Sequence, residues 1–203
     1  MNQSRQELSK IDDSKVRGGK KKKKAAKSSE NFIEELLNAI NRVRANPAEF
    51  AKNITDSIGN IKQEEGKIIF DAHGTKVALV NGESAFLSAG QKLLTLESAA
   101  PLELSEDLII QVPEDHKDWK NNGLITQLLA KKKSENGSKY PECAFNMDLG
   151  ISDPETSLLL QIVDDSPFKG KRRDNILNPL HRHVGISFMK LKSKFCCYIT
   201  FAK

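Results

Sequence analysis

The fold is decided by one stretch near the carboxyl end of the chain, FKGKRRDNILNPLHRHVGISF, residues 168–188. A strand pattern rich in β-branched and aromatic residues covers residues 183–191, and a second one covers residues 195–202. The segment between them has the length of a hairpin loop. Because helical patterns fill much of the preceding chain, we predict an α+β domain with a small antiparallel sheet.

The helices are predicted from apolar spacing together with capping residues and prolines. They cover residues 30–45 with Ser28 or Ser29 as the cap, residues 47–58, residues 85–96, residues from 105 towards 119 with a break at Pro113, and residues 154–163. Two short β-branched runs, at residues 67–71 and 76–80, predict a hairpin or two extended arms. Residues 130–156 contain many turn residues and are predicted to be rich in loops.

Positive charge is concentrated at the amino end of the chain. Residues 1–29 hold ten Lys or Arg residues and three acidic ones, a balance of +7, whereas the whole chain carries +5, so residues 30–203 carry −2. Because a run of lysines repels itself and buries no apolar surface, we predict a disordered Lys-rich tail over residues 1–29 and a folded domain over residues 30–203. The lysines expected to bind polyanions are Lys20, Lys21, Lys22, Lys23, Lys24 and Lys27.

Several partners suit such a tail. Nucleic acid, an anionic membrane surface and the acidic tails of tubulin all carry the opposite charge. A solvated extension or a nuclear localisation signal explains the same composition. The tail alone therefore leaves the partner open.

The sequence favours a cytoplasmic protein that is neither secreted nor transmembrane. The amino end has no apolar core behind its basic residues, as a secretory signal peptide would. No apolar run approaches the roughly 20 residues that span a bilayer. The three cysteines, Cys143, Cys196 and Cys197, are too few and odd in number for a disulfide framework.

Three motifs make the sequence similar to the cysteine-rich secretory and pathogenesis-related superfamily, also called the CAP superfamily. FIEELLNAINRVRANPAEFAKNI resembles its first helix, and NGESAFLSAGQKLLTLESAAPLELSEDL resembles the segment before the second helix of intracellular and protist-type members. RRDNILNPLHRHVGISF followed by FCCYITFA resembles its closing motif. The resemblance implies an α-β-α sandwich in residues 30–203.

Family members that bind a divalent metal hold it in a cleft with two histidines and two acidic residues. Matched to the family pattern, the cleft positions of this sequence are His116, Gln127, Phe145 and Arg172. A guanidinium has no lone pair to donate, so Arg172 cannot replace a ligand histidine. Glu142 lies close to Phe145 in the sequence, and a small misalignment would put it at the position of the family's carboxylate. Whether this carboxylate is lost is therefore left open. The resemblance thus implies a degenerate cleft with no metal, no cofactor and no catalytic residue.

Three other polar pairs allow two interpretations each. His181 and His183 could share one side of an extended segment and bind a metal, although two partly exposed histidines explain them more simply. Cys196 and Cys197 should point to opposite faces of a strand, one into the core and one to the surface or an interface. The carboxylates of residues 164–165 could act as acid and base, but an ion-pair network with the basic residues that follow is the simpler interpretation.

These features favour a non-catalytic structural or interaction module that binds an acidic intracellular assembly. Microtubules of the cytoskeleton or of a ciliary axoneme are the specific expectation, because acidic tubulin tails would supply the countercharge. Two alternatives stay open at this stage. One is a lipid or sterol carrier or a metal-dependent hydrolase that uses the cleft, and the other is nonspecific nucleic-acid binding through the lysine run.

Overall fold

A computed structural model describes residues 14–111, 139–140, 142–165, 170–191 and 194–203 of the chain. Within these ranges the helices are α1 (Ser14–Ala45), α2 (Pro47–Asp56), α3 (Glu83–Leu93), α4 (Pro154–Val163) and α5 (Lys171–Leu177). Short 3-10 turns occur at Ser57–Asn60 and Glu106–Leu108. None of the described helices is both long enough and apolar enough to span a bilayer.

The strands form two separate sheets. The first contains β1 (Ile61–Glu64), β2 (Lys67–Ala72) and β3 (Thr75–Leu79), antiparallel and in that order. The second contains β4 (Glu103–Leu104), β5 (Cys143–Leu149), β6 (His183–Leu191) and β7 (Lys194–Ala202), in the order β4-β6-β7-β5. All its neighbours are antiparallel except β4, which runs parallel to β6. The predicted α+β class is confirmed.

The main core lies between the second sheet and helices α1 and α4. Helix α1 contributes Phe32, Leu36, Ile40 and Val43 at helical spacing, and none of these side chains is more than 4% exposed. The ring of Phe32 stacks on that of Phe188 in β6, with 3.6 Å between the centroids. Burial of each such side chain contributes about 1.5–3 kcal/mol, so this apolar face is what holds α1 to the domain.

The opposite face of the second sheet is covered by residues 108–110. The side chain of Ile110 packs on Cys196 and Tyr198, and residue 110 donates its backbone N–H to the hydroxyl of Ser187 at 3.0 Å. A Cβ on Gly185 would lie 2.2 Å from the carbonyl carbon of Leu108. The backbone of Leu108 can cross β6 this closely only because residue 185 is glycine. The rest of the helix predicted from residue 105 towards 119, with its break at Pro113, falls in residues 112–138, which lie outside the described residues.

Several predicted boundaries are confirmed. Helix α1 ends at Ala45, and Pro47 begins α2, whose N-cap Asn46 accepts a hydrogen bond from the amide of Glu49. The hairpin predicted in residues 67–80 is formed by β2 and β3 around a type I′ turn. Strands β6 and β7 form the predicted closing hairpin.

Three strands, β1, β4 and β5, lie where the sequence predicts none, and one predicted helix is wrong in its described part. Strand β5 falls inside the predicted loop, because buried polar residues at positions 146 and 148 hide its alternation. The helix predicted from Ser105 ends after the 3-10 turn, where Ile109 is extended (φ −71°, ψ 125°). The chain leaves the helix there because the next amide bonds to the second sheet.

The start of the first helix is also corrected. Helix α1 begins at Ser14, whereas the sequence predicts a start at Ser28 or Ser29 after a disordered tail. Residues 14–29 extend a helix that is already formed, so they avoid the cost of nucleation, and lysine and alanine have high helix propensity. These residues are helical, and the boundary predicted at residue 29 lies within α1; residues 1–13 are outside the described part of the chain.

A fully buried arginine, Arg44, joins the last turn of α1 to the segment after α5. Its Nη1 donates to the carbonyl oxygens of Ile176 (2.6 Å) and Asn178 (3.0 Å). Its Nη2 donates to that of His181 (3.1 Å) and its Nε to that of Ala100 (2.8 Å). Burial lowers the pKa of Arg44 to about 10, so the side chain stays protonated at neutral pH. Four carbonyl oxygens therefore replace the water that this buried charge has lost.

We predict that Arg44→Met lowers the free energy of unfolding by about 3–5 kcal/mol, because it leaves buried carbonyl oxygens without donors. Urea unfolding followed by circular dichroism measures the loss. Arg42→Met is the matched control on the same helix, since Arg42 forms an exposed ion pair with Glu155 and should cost at most about 1 kcal/mol. Equal losses for both variants would contradict the role given to Arg44.

Candidate functional site around Arg172

Arg172 lies in the first turn of α5, inside the stretch that decides the fold. The helix starts after Gly170, which has a left-handed φ of +91°. This left-handed conformation favours glycine at the entry to α5, because a side chain there would be strained. The side chain of Arg172 is 25% exposed and reaches two carboxylates that are almost fully buried.

The first carboxylate belongs to Asp164, the residue that ends α4 in a left-handed conformation (φ 48°). Its Oδ1 accepts from Nε of Arg172 at 2.7 Å, and its Oδ2 accepts from the backbone amide of the same arginine at 2.9 Å. One side chain therefore ends α4, satisfies an amide in the first turn of α5 and pairs with the charge of Arg172.

The second carboxylate belongs to Asp148 of β5. Its Oδ1 accepts from Nη1 of Arg172 at 3.1 Å. Its Oδ2 accepts from the hydroxyl of Ser157 at 2.6 Å and from Nε2 of Gln161 at 2.7 Å, both on α4. Every oxygen of this buried carboxylate thus has a donor, as its position in the core demands.

Two asparagines complete the cluster. Nδ2 of Asn146 donates to Oε1 of Gln161 and to the backbone carbonyl oxygen of Arg172, at 2.9 Å each. Nδ2 of Asn175 donates to Oδ1 of Asn146 at 2.9 Å and to the carbonyl oxygen of Phe145 at 3.2 Å. We call the seven side chains the Arg172 cluster; they are Asn146, Asp148, Ser157, Gln161, Asp164, Arg172 and Asn175.

Burial dominates the electrostatics of Asp148. It raises the pKa of this carboxyl above the ordinary value of 3.8, while hydrogen bonds from Ser157 and Gln161 and the charge of Arg172 oppose the rise. The guanidinium is the cation that lets the carboxylate ionise in this setting.

The cluster is not suited to hold the divalent metal of the resembling family. The guanidinium of Arg172 has no lone pair, and both oxygens of Asp148 already accept hydrogen bonds, three in all. In the part of the chain that the structure describes, no three His, Cys, Asp or Glu residues lie together as a metal site would require. The residues of the cluster bind one another and close the site.

The structure places the predicted cleft positions in different surroundings. Arg172 is central to the cluster, but Phe145 faces the other side of β5 and stacks on Tyr198, with 5.9 Å between the ring centroids. The position expected to have lost its carboxylate is therefore not beside Arg172. His116 and Gln127 lie outside the described residues. The predicted polyanion-binding lysines lie in the amino-terminal part of α1.

The histidine pair is not arranged as a metal site. Nδ1 of His181 lies 2.9 Å from the carbonyl oxygen of Asn175, so this nitrogen carries the proton. The ring of His181 stacks on Phe201, and burial lowers its pKa, which favours the neutral form. The ring of His183 lies against Tyr140 instead. The two rings therefore have different neighbours, but the simpler interpretation of two partly exposed histidines is wrong for His181, which is buried.

Two further pairs are resolved by the structure. Cys196 and Cys197 do point to opposite faces of β7, but both are buried, so the expected surface thiol is wrong; residues 108–110 cover the second face. The predicted ion-pair network forms at Asp164. Asp165 instead accepts from the backbone amides of Val80 (2.6 Å) and residue 81 (2.9 Å), which ties the exit of β3 to the end of α4.

Sequence reasoning missed Asp148 as the carboxylate that pairs with Arg172. The available signal was the spacing of Asn146 and Asp148, which puts two polar side chains on one face of a strand. This spacing indicates a shared face only once residues 143–149 are recognised as a strand.

No protein-family model and no curated protein matches the chain. Among solved structures, the chain is similar to a cysteine-rich secretory protein from Staphylococcus aureus subsp. aureus Mu50, with 18% identity and a TM-score of 0.35. The alignment covers 66% of this chain and 43% of that chain, so this chain spans less than half the length of its neighbour. A likeness of this size carries no conclusion about function.

We predict that Arg172→Ala lowers the free energy of unfolding at pH 7.5 by about 2–4 kcal/mol, because it leaves buried carboxylates without their cation. Loss of the cation also raises the folded-state pKa of Asp148 further above its unfolded value. A carboxyl shifted in this direction destabilises the fold above its folded pKa, and this cost disappears as the pH falls through that pKa.

The destabilisation caused by Arg172→Ala should therefore be smaller at pH 4.5 than at pH 7.5. Urea unfolding of the variant and the wild type at both values measures this difference. Arg42→Ala, which removes an exposed arginine of the same charge, should show little effect at either pH. A loss that does not change with pH would rule out the ionic account of the cluster.

Proposed function

We propose that this chain is a non-catalytic binding module, a degenerate intracellular member of the CAP superfamily of protist type. One observation supports this most: Arg172, which the resemblance puts at the position of the ligand histidine, is paired with Asp148 and Asp164 at 3.1 and 2.7 Å. A site whose polar groups are satisfied by one another has no group left to activate water or a substrate. We therefore assign its function to the surface, through which it would bind other molecules.

The partner that we propose is an acidic protein assembly, and specifically the microtubules of the cytoskeleton or of a ciliary axoneme. The support is the distribution of charge, +7 over residues 1–29 against −2 over residues 30–203. The acidic tails of tubulin are polyanions that a lysine run attracts at long range. The domain would then contribute specificity beyond this attraction.

A cytoplasmic location goes with this proposal. Cys196 and Cys197 are buried on opposite faces of β7, where their thiols cannot meet, and no disulfide forms among the residues that the structure describes. Burial raises the pKa of both thiols, so they are protonated and poorly reactive. Reduced, inert cysteines suit a reducing compartment.

We predict that changing Lys20, Lys21, Lys22, Lys23 and Lys24 together to Gln reduces cosedimentation of the full chain with microtubules at least roughly tenfold. The physical reason is the loss of five adjacent charges that face an acidic polymer. The matched control removes the same charge elsewhere, at exposed lysines of the domain: Lys52, Lys67, Lys92, Lys190 and Lys194.

The control variant should keep most of the binding, and the wild type should lose binding as salt is raised. Cosedimentation is repeated with microtubules from which the acidic tails have been removed by subtilisin, and binding should fall to the level of the lysine variant. Binding that is absent for the wild type at low salt would refute the proposed partner. Preference for double-stranded DNA over microtubules at equal charge concentration would instead support the nucleic-acid alternative.

A further inference from the structure

A groove separates β3 from β5 at the surface of the domain. It encloses about 210 Å³ and is lined by residues 77–79 of β3 and residues 147–149 of β5. Leu160, Asp165 and Arg172 lie at its base, beside Ile151. We call this feature the edge groove, because both of its walls are edge strands: β3 is the last strand of the first sheet and β5 the last of the second.

The backbone of β5 presents hydrogen-bonding groups to the edge groove. The N–H and C=O of one residue in an antiparallel strand point to the same side, and the side alternates along the chain. The amide of Gly150 bonds to Phe195 in β7, so even-numbered residues of β5 face β7. Asn175 reaches the carbonyl oxygen of Phe145 from the opposite side. The backbone groups of Met147 and Leu149 therefore point away from β7, into the groove.

The backbone of β3 does the same from the other wall. Ala72 and Thr75 flank the two-residue turn, and such flanking residues form a hydrogen-bonded pair. Hydrogen-bonded and non-hydrogen-bonded pairs alternate along an antiparallel ladder, so the backbones of Val77 and Leu79 also bond to β2. Ala78 lies between them and forms a non-hydrogen-bonded pair with its partner in β2. The N–H and C=O of Ala78 thus face the edge groove, and no described strand pairs with them.

The charges and side chains of the edge groove define what fits between these walls. Val77, Leu79 and Leu149 are only partly buried, and Met147 is 41% exposed, so apolar surface is available. Two carboxylates, of Asp148 and Asp165, and the guanidinium of Arg172 line the groove. Asp148 is paired with Arg172, which leaves the half-buried carboxylate of Asp165 as a charge of −1 that complements a cation.

We propose that the edge groove binds an extended peptide segment of a partner protein, with Lys or Arg alternating with apolar residues. Its backbone would pair with Ala78 on one side and with Met147 and Leu149 on the other, so that the peptide joins the two sheets as an added strand. A basic side chain would face the half-buried carboxylate of Asp165. This contact is separate from the lysine run of α1 and goes beyond the function proposed above.

The test titrates the full chain, labelled with ¹⁵N, with the peptide acetyl-VKVKV-amide and follows amide shifts and hydrogen exchange. We expect the amides of Ala78, Met147 and Leu149 to exchange rapidly in the free protein and to become protected when the peptide binds. The acidic peptide acetyl-VEVEV-amide should bind roughly tenfold more weakly or not at all. A form of the basic peptide with N-methylated backbone amides should also lose most of its affinity, because it cannot pair as a strand.

Two proline variants separate the groove from the rest of β3. Ala78→Pro removes a backbone donor that faces the groove, and proline is tolerated at the outward positions of an edge strand. Lys76→Pro is the matched control, since Lys76 has the same register but does not line the groove. We expect Ala78→Pro to abolish peptide binding and Lys76→Pro to retain it. The exchange measurement on the wild type decides the matter even if Ala78→Pro does not fold.

The proposal is overturned if the basic peptide does not bind at millimolar concentration, if both charged peptides bind equally, or if the shift changes map away from the groove. The variant with Lys20–24 changed to Gln is titrated in parallel. Retained peptide binding by this variant supports a site separate from the lysine run, whereas loss of binding would refute the groove as the site. Failure of microtubule binding alone would leave this result unaffected.

Discussion

The pairing of Arg172 with two buried carboxylates is the interaction on which the arrangement of the carboxyl-terminal half depends. Helix α5 has seven residues, too few to be stable alone, so it must be held from outside. Asp164 and Asp148 hold its first turn through Arg172, and Arg44 of α1 donates to the carbonyl oxygen of Ile176 in its last turn. Helix α5 is thereby held at both ends, and this fixes the place from which the closing strands β6 and β7 follow. A short helix tied at both ends by arginines thus connects α1, α4 and the second sheet.

The same pairing determines what the site can do. A buried polar network stabilises a fold only when its members are satisfied, and here each oxygen of Asp148 has a donor. Satisfaction of this kind removes the unpaired acids, bases and lone pairs on which catalysis and metal binding depend. The two proposed contacts differ in charge, since the lysine run of residues 20–24 is basic by sequence and the lining of the edge groove has two acidic residues and one arginine.

How far the sequence predicts this structure depends on whether an element has a regular apolar pattern. The closing hairpin and the junction at Pro47 are predicted correctly, because alternation, helical spacing and proline act locally. Strand β5 is missed, since Asn146 and Asp148 interrupt its apolar alternation in order to bind α4 and α5. Arg172 is recognised as a departure from the family motif, but its partner is not, because a pairing between distant segments leaves no local pattern. The helical state of residues 14–29 is missed because the prediction of a disordered tail rests on the charge of these residues alone. It does not take into account that they continue the helix formed by residues 30–45.

The central claim is that the Arg172 cluster is a closed network of mutual hydrogen bonds and not a metal centre. Isothermal titration of the full chain with zinc chloride at neutral pH tests it most directly, with elemental analysis of the dialysed protein as the second reading. The account predicts no stoichiometric binding, because a guanidinium stands beside Asp148 where a metal would need a further ligand, and both carboxylate oxygens are already hydrogen-bonded. One zinc ion per chain, bound with submicromolar affinity and weakened by Asp148→Asn, would contradict it.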